Sequence, residues 1–71
     1  MEENKQVSIS ERIKFWRKEK NLTQDALAKK ADIPYTTLAK IESDVIKKPS
    51  IQTMMKIANG LEITLDELMN M

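Results

Sequence analysis

The stretch that decides the fold of this 71-residue chain runs over Leu22–Glu42 and reads LTQDALAKKADIPYTTLAKIE. Leu27 and Ala31 share one face of a first short helix. Leu38 and Ile41 share one face of a second. The pattern therefore predicts two amphipathic helices with facing apolar stripes.

The connection between these helices is predicted as a tight turn at Asp32. Asp tolerates the left-handed backbone of a tight turn better than most residues do. Ile33 can fill the corner, and Pro34 opens the next helix, where its missing N–H costs nothing. Because Ala28 is small, the two helices can cross closely. Together these features predict a helix-turn-helix motif.

One further helix is predicted before the motif. Ile9, Ile13 and Trp16 fall at helical spacing, with Trp16 expected to be buried and Ser10 as a candidate N-cap. The polar residues 1–7 are predicted to form a flexible N-terminal tail, because they offer nothing to pack. Residues 8–71 are then a single domain.

Two helices are predicted after the motif. Ser50 caps the fourth helix. Its inner stripe comprises Ile51, Met54, Ile57, Ala58 and Leu61. Gly60 lowers helix stability by up to ~1 kcal/mol relative to Ala, and Glu62 stands where a Gly commonly ends a helix. The run Thr64–Glu67 is a capping box that starts a short fifth helix, with Leu65 and Leu68 turned inward.

The composition excludes several classes of protein. The chain has no Cys and no His, so disulfides and the usual zinc ligands are absent. Without these residues, a carboxylate cluster or a Gly-rich phosphate loop, we expect no enzymatic activity and no cofactor. No apolar run approaches the ~18 residues of a membrane span. Since the first residues also lack the character of a signal peptide, we expect a cytoplasmic protein without membrane contact.

The charge distribution is more informative than the net charge of +1. One segment of the chain is enriched in lysine, namely Lys40, Lys47, Lys48 and Lys56. The residues after it carry only acidic charges, namely Glu62, Asp66 and Glu67. One end of the molecule is therefore suited to phosphate, and the other end is suited to face away from it.

Several groups of residues occur in a characteristic order, namely Arg17 with Leu22-Thr23-Gln24, Leu27-Ala28, Leu38 with Ile41-Glu42, Pro49-Ser50 with Ile57-Ala58 and Leu61, and Asp66-Glu67-Leu68. Over Ile9–Leu68, about five-sixths of its length, the chain resembles the Cro/repressor class of phage and bacterial regulators, the xenobiotic-response-element family. The resemblance implies an all-α fold, a compact five-helix lambda-repressor-like domain with its helix-turn-helix at helices 2 and 3. It also implies a sequence-specific transcriptional regulator of double-stranded DNA, expected to be a repressor.

Glu42 is the most informative single charge, because it ends a helix whose dipole disfavours an anion there. The resemblance implies that Glu42 pairs with Arg17 in a bidentate geometry that ties the third helix to the first. The alternative is two independent surface charges with negligible coupling.

The resemblance implies that the outer face of the third helix reads bases in the major groove. Lys40 can donate to guanine, Thr36 can contact a base edge or a thymine methyl group, and Tyr35 can stack on sugar or contact a base. The resemblance implies that a second group contacts phosphates, namely Thr23, Gln24, Thr37, Ser43, Lys47 and Lys48. The alternative for each residue is a solvated side chain, and capping alone would explain Thr23.

One short recognition helix contacts too few base pairs to select a site, so we expect a homodimer on a palindromic operator. The proposed dimer surface comprises Ile51, Met55, Ile63 and Leu65. Phe15 falls outside the inner stripe of the first helix, where it either covers the core edge or contacts another chain. The alternative function is a protein-interaction module of the same fold, such as an antitoxin or antirepressor component. The polar third helix and the loop lysines favour DNA.

Overall fold

The computed structural model describes residues 8–70, which form five α-helices and contain no strand. The helices are α1 (Ile9–Glu19), α2 (Gln24–Ala31), α3 (Tyr35–Glu42), α4 (Ile51–Leu61) and α5 (Leu65–Met69). The predicted all-α fold of five helices is confirmed. The predicted tail, residues 1–7, lies outside the described residues, as does Met71.

Three of the four predicted N-caps are confirmed. The hydroxyl groups of Thr23 and Ser50 each accept a hydrogen bond from the backbone N–H three residues later, both at 3.1 Å. Thr64 and Glu67 form the predicted capping box at the start of α5. The turn prediction is confirmed as well, because Asp32 ends α2 with a left-handed backbone at φ 59°.

The predicted cap of α1 is wrong. The N-cap is Ser8, whose hydroxyl accepts from the N–H of Glu11 at 3.2 Å. The helix therefore begins before Ser10, which lies inside its first turn and is only 4% exposed. Ser10 is three residues before the buried Ile13, so both residues lie on the inner face of α1.

The core is formed by the inner faces of all five helices. Its buried residues are Ile13, Leu27, Ala28, Ala31, Leu38, Ile41, Ile57, Ala58, Leu61 and Leu68. The expected inner position of Ile51 is wrong, because this first residue of α4 is 58% exposed. Trp16 is only partly buried, and the ring of Phe15 packs edge-on against it with centroids 5.5 Å apart. Phe15 thus contacts Trp16 and stays 44% exposed.

Gly60 is required by the packing of α4 against α2. A Cβ atom at this position would lie 2.9 Å from the backbone nitrogen of Ala31 and 3.0 Å from its Cα. Any larger residue would therefore force the two backbones apart. The sequence indicates a weak point in the helix here, and the structure shows a close helix–helix contact.

Candidate nucleic-acid interface

The third helix has one face in the core and one face at the surface. Leu38 and Ile41 are fully buried on the inner side. Tyr35, Thr36 and Lys40, the predicted base-reading residues, are all exposed. The structure therefore brings a phenol, a hydroxyl and an ammonium group to the same exposed face of a helix whose other face is anchored.

The end of this helix is held by a buried carboxylate. The Arg17 guanidinium donates to Glu42 through Nε at 2.9 Å and through Nη2 at 3.1 Å. The side chains of Arg17 and Glu42 are 17% and 2% exposed. The pair thus has the expected bidentate geometry, and Glu42 lies inside the protein rather than on its surface. Arg17 also donates to the carbonyl of Leu22 at 3.0 Å, which ties in the segment before α2.

Gln24 also contacts Glu42, and the sequence did not predict this contact. Its Nε2 donates to Oε1 of Glu42 at 2.9 Å. The amide group expected at a phosphate is thus engaged within the protein, and α2 joins α1 in holding the end of α3. The signal available in the sequence was the carboxylate itself, which can accept about four hydrogen bonds, whereas a bidentate guanidinium donates two.

The other predicted phosphate contacts have varied surroundings. Thr23 is exposed at the start of α2, and Thr37 is partly buried on α3. The hydroxyl of Ser43 donates to the carbonyl of Lys40 at 3.3 Å. In the loop between α3 and α4, Nζ of Lys47 lies 2.7 Å from a carboxylate oxygen of Asp44, and Lys48 is exposed.

The predicted dimer surface divides into two parts. Ile51 and Met55, one turn apart on α4, are 58% and 50% exposed. Ile63 and Leu65 instead pack against the core and are partly buried. The inward position predicted for Leu65 is confirmed, and Ile63 packs against the core with it, so Ile51 and Met55 are the more exposed members of the predicted dimer surface.

The residue that follows α4 takes part in an ion pair at the surface. Glu62 has a left-handed backbone at φ 61°, and its carboxylate lies 3.1 Å from Nζ of Lys30. The hydrogen bond from Lys30 and its positive charge lower the pKa of the Glu62 carboxyl below its ordinary value. This pair joins the ends of α2 and α4.

Two other kinds of site are not found in the described part of the chain. Residues 8–70 contain no helix that is long and apolar enough to cross a membrane. Within the same range, no three acidic side chains come together as candidate metal ligands.

Residues 13–68 match the helix-turn-helix family. The chain belongs to this family. The family match agrees with the Cro/repressor-type resemblance of the sequence. Over 62 residues, this helix-turn-helix protein is 37% identical to the HTH-type transcriptional regulator SinR of Bacillus licheniformis, an alignment that covers 87% of this chain and 56% of SinR. Over 57 residues it is 42% identical to the immunity repressor of Bacillus phage phi105, covering 80% of this chain and 39% of the repressor.

The helix-turn-helix protein also resembles solved structures. It superposes with a TM-score of 0.81 on the crystal structure of SinR, the master regulator for biofilm formation, in complex with DNA. The sequence identity is 35%, and the match covers 87% of this chain and 98% of that one. The chain spans about half the length of the full SinR protein that it matches.

Proposed function

We propose that this chain is the sequence-specific DNA-binding unit of a transcriptional regulator that acts as a repressor in the cytoplasm. The observation that carries the proposal is the exposed polar face of α3, on a helix anchored by the core and by Glu42. The similarity to SinR, solved in complex with DNA, supports it. The similar proteins named above are regulators and a repressor rather than enzymes.

Bases are read from the exposed face of α3. Lys40 donates to O6 and N7 of a guanine, and Thr36 contacts a base edge or a thymine methyl group. Tyr35, at the start of the helix, stacks on the sugar or contacts a base. These side chains are free to serve the groove because none of them is needed in the core.

Phosphates are bound by the elements on either side of α3. The start of α2 offers the N–H groups of its first turn, with Thr23 as N-cap and the side chain of Gln24 held on Glu42. Thr37 and Ser43 flank the recognition face. In the loop, Lys48 is the stronger electrostatic contact, because Lys47 is already paired with Asp44.

The active form is a homodimer on a palindromic operator. Its two recognition helices lie about one helical turn of DNA apart, roughly 34 Å, so that both meet the same side of the duplex. Ile51 and Met55 provide the exposed apolar contact between the two copies, and Met side chains adapt readily to irregular surfaces.

Selection on randomised duplex DNA, with the whole chain, tests the function directly. We expect an enriched sequence with two inverted half-sites. Changing Lys40 to Ala should relax the preference at one or two base pairs, by about 1–3 kcal/mol, whereas changing Lys48 to Ala should weaken all sequences alike and reduce the salt slope by about 1. Lys30→Ala is the matched control, because this lysine faces Glu62 rather than the recognition face.

The outcomes separate the candidate functions. If no sequence is enriched, the DNA-binding proposal fails, and the protein-interaction module of the same fold takes its place. If a sequence is enriched but Lys40→Ala leaves the preference unchanged, the assignment of the reading face is wrong. A single, non-repeated half-site bound by one chain would contradict the dimer.

The dimer surface is tested with Met55→Lys. This residue is half-exposed, so the substitution should leave the fold intact, unlike a charge at the partly buried Ile63. The added positive charge cannot weaken binding by repelling DNA. A loss of cooperative binding would therefore report on protein–protein contact, and unchanged cooperativity would reject this surface.

A further inference from the structure

The carbonyl groups at the end of α3 find their partners in two different ways. The last four carbonyls of a helix have no partner within it. Here, the first three of these carbonyls accept hydrogen bonds of 2.9–3.1 Å from N–H groups of the following residues, namely Ser43, Asp44 and Val45. The fourth carbonyl, that of Glu42, accepts from the hydroxyl of Ser10 on α1, 32 residues away in the chain. The end of α3 is thus completed by another helix.

Ser10 and Arg17 hold Glu42 at two separate points. They are seven residues apart, which places them on one face of α1, about 10 Å apart along its axis. Arg17 binds the carboxylate of Glu42, and Ser10 binds its backbone carbonyl. Core packing of Leu38 and Ile41 holds the inner face of α3, and the two attachments to α1 additionally fix both the side chain and the backbone of its last residue.

We infer that Ser10 is a positioning residue for DNA reading, an inference that rests on the proposed function. Lys40 lies only two residues before Glu42, so a shift of that end displaces the ammonium group that donates to bases. A bidentate base contact tolerates little displacement, because both donor distances must be met together. Ser10 contributes to selectivity without contacting DNA, since it is 4% exposed on the inner side of α1.

The test compares Ser10→Ala with Ser8→Ala. Each change removes one hydroxyl hydrogen bond of α1, but the Ser8 bond is an exposed cap with no link to α3. Ala is a strong helix former, so Ser10→Ala should remain folded, as thermal unfolding can verify. The affinities of the wild type and both variants are measured for the selected duplex and for a scrambled duplex. We expect Ser10→Ala to lower the ratio of the two affinities about fivefold, as for one neutral hydrogen bond, and Ser8→Ala to leave it unchanged.

Amide hydrogen exchange in the free protein supplies a second measurement that needs no DNA. Ser10→Ala should accelerate exchange at the end of α3, around Ser43 and Val45, whereas Ser8→Ala should do so at the start of α1. Unchanged exchange at the end of α3, or a selectivity ratio equal to that of Ser8→Ala, would overturn the inference. A wild-type protein with no preference between the duplexes would overturn the proposed function instead, while the exchange result would still decide whether Ser10 fixes α3.

Discussion

Glu42 and Glu62 stand at similar places in two helices, and their surroundings differ completely. Each lies at a helix C-terminus, where the dipole disfavours an anion. The side chain of Glu42 is 2% exposed and accepts from Arg17 and Gln24, whereas the side chain of Glu62 is 69% exposed and, among residues 8–70, pairs with Lys30. The residue type and its place in the helix therefore do not determine the role of a glutamate. The number of donors that surround it, and the elements they come from, do.

The two sites have different mechanical consequences. The donors of Glu42 come from α1 and α2, so its carboxylate joins both helices to α3. Glu62 links the ends of α2 and α4 through exposed side chains, where water competes for both charges. We therefore expect substitutions around Glu42 to affect the fold and the recognition helix, and substitutions at Glu62 to have small local effects.

The largest effect is expected for Arg17→Ala, which leaves the buried Glu42 carboxylate with only the Gln24 amide. Removing one partner of a buried ion pair lowers the free energy of unfolding by about 3 kcal/mol. Lys30→Ala is the control and should change the unfolding free energy by at most about 0.5 kcal/mol, because its pair is exposed. Urea denaturation measures both, and equal effects would abolish the distinction between the two glutamates.

A double-mutant cycle isolates the interaction itself. With Ala at position 17, at position 42 and at both, the coupling energy should exceed ~0.5 kcal/mol. Strictly additive losses would mean that the bidentate geometry adds nothing to stability.

Gly60→Ala, near the end of α4, should cause the second-largest loss of stability. A new Cβ atom would meet the backbone of Ala31 at 2.9–3.0 Å, and overpacking of this kind costs about 1–3 kcal/mol despite the better helix propensity of Ala. Asn59→Ala, at the exposed neighbouring position, is the matched control and should be neutral or slightly stabilising. A stabilised Gly60→Ala protein would show that α2 and α4 can move apart freely.

Glu62→Gly should have a smaller effect, of opposite sign. The left-handed backbone at φ 61° is strained for Glu and unstrained for Gly. After the greater flexibility of Gly in the unfolded chain is deducted, we expect a gain of about 0.5 kcal/mol in unfolding free energy. Glu62→Gln keeps the backbone strain and removes the charge, so it separates the conformational effect from the ion pair.

The smallest effect concerns pH. Lys30 lowers the pKa of the Glu62 carboxyl in the folded protein below its ordinary value of 4.5. The stabilisation is therefore fully present above pH 4.5 and is lost as the pH falls through the lowered value. Unfolding measured along a pH series should show a small advantage of the wild type over Glu62→Gln at neutral pH that disappears in acid. A difference that persists in acid would mean that another group is responsible.

Local signals made much of the fold predictable. Thr23 and Thr64 act through N–H groups three residues away, and Asp32 adopts a conformation that its own side chain tolerates. An anion at a helix end indicated that Glu42 needs a partner, and the family resemblance implied that this partner is Arg17. Ser10 shows where such signals are insufficient, since Ser8 and Ser10 are both suitable caps and only the packing of α1 distinguishes them.

The remaining features depend on contacts between segments that are distant in the chain. Gln24 reaches Glu42 only after α2 and α3 have packed. Gly60 lowers the stability of an isolated helix, but only a residue without a Cβ atom fits beside the Ala31 backbone. Periodicity placed Ile51 on the inner stripe, but its exposure depends on where the core ends, which no single helix specifies.

The close contact at Gly60 also affects the deamidation of the neighbouring Asn59. Asn59 precedes Gly60, and an Asn-Gly pair deamidates when the glycine nitrogen attacks the asparagine side-chain amide carbon and ammonia leaves. Both residues lie within α4, where the helical backbone keeps that nitrogen away from the side chain. Because Gly60 also packs closely against the Ala31 backbone, we expect ring closure to require opening of the end of α4. The rate of deamidation at Asn59 should therefore report how often the end of α4 opens.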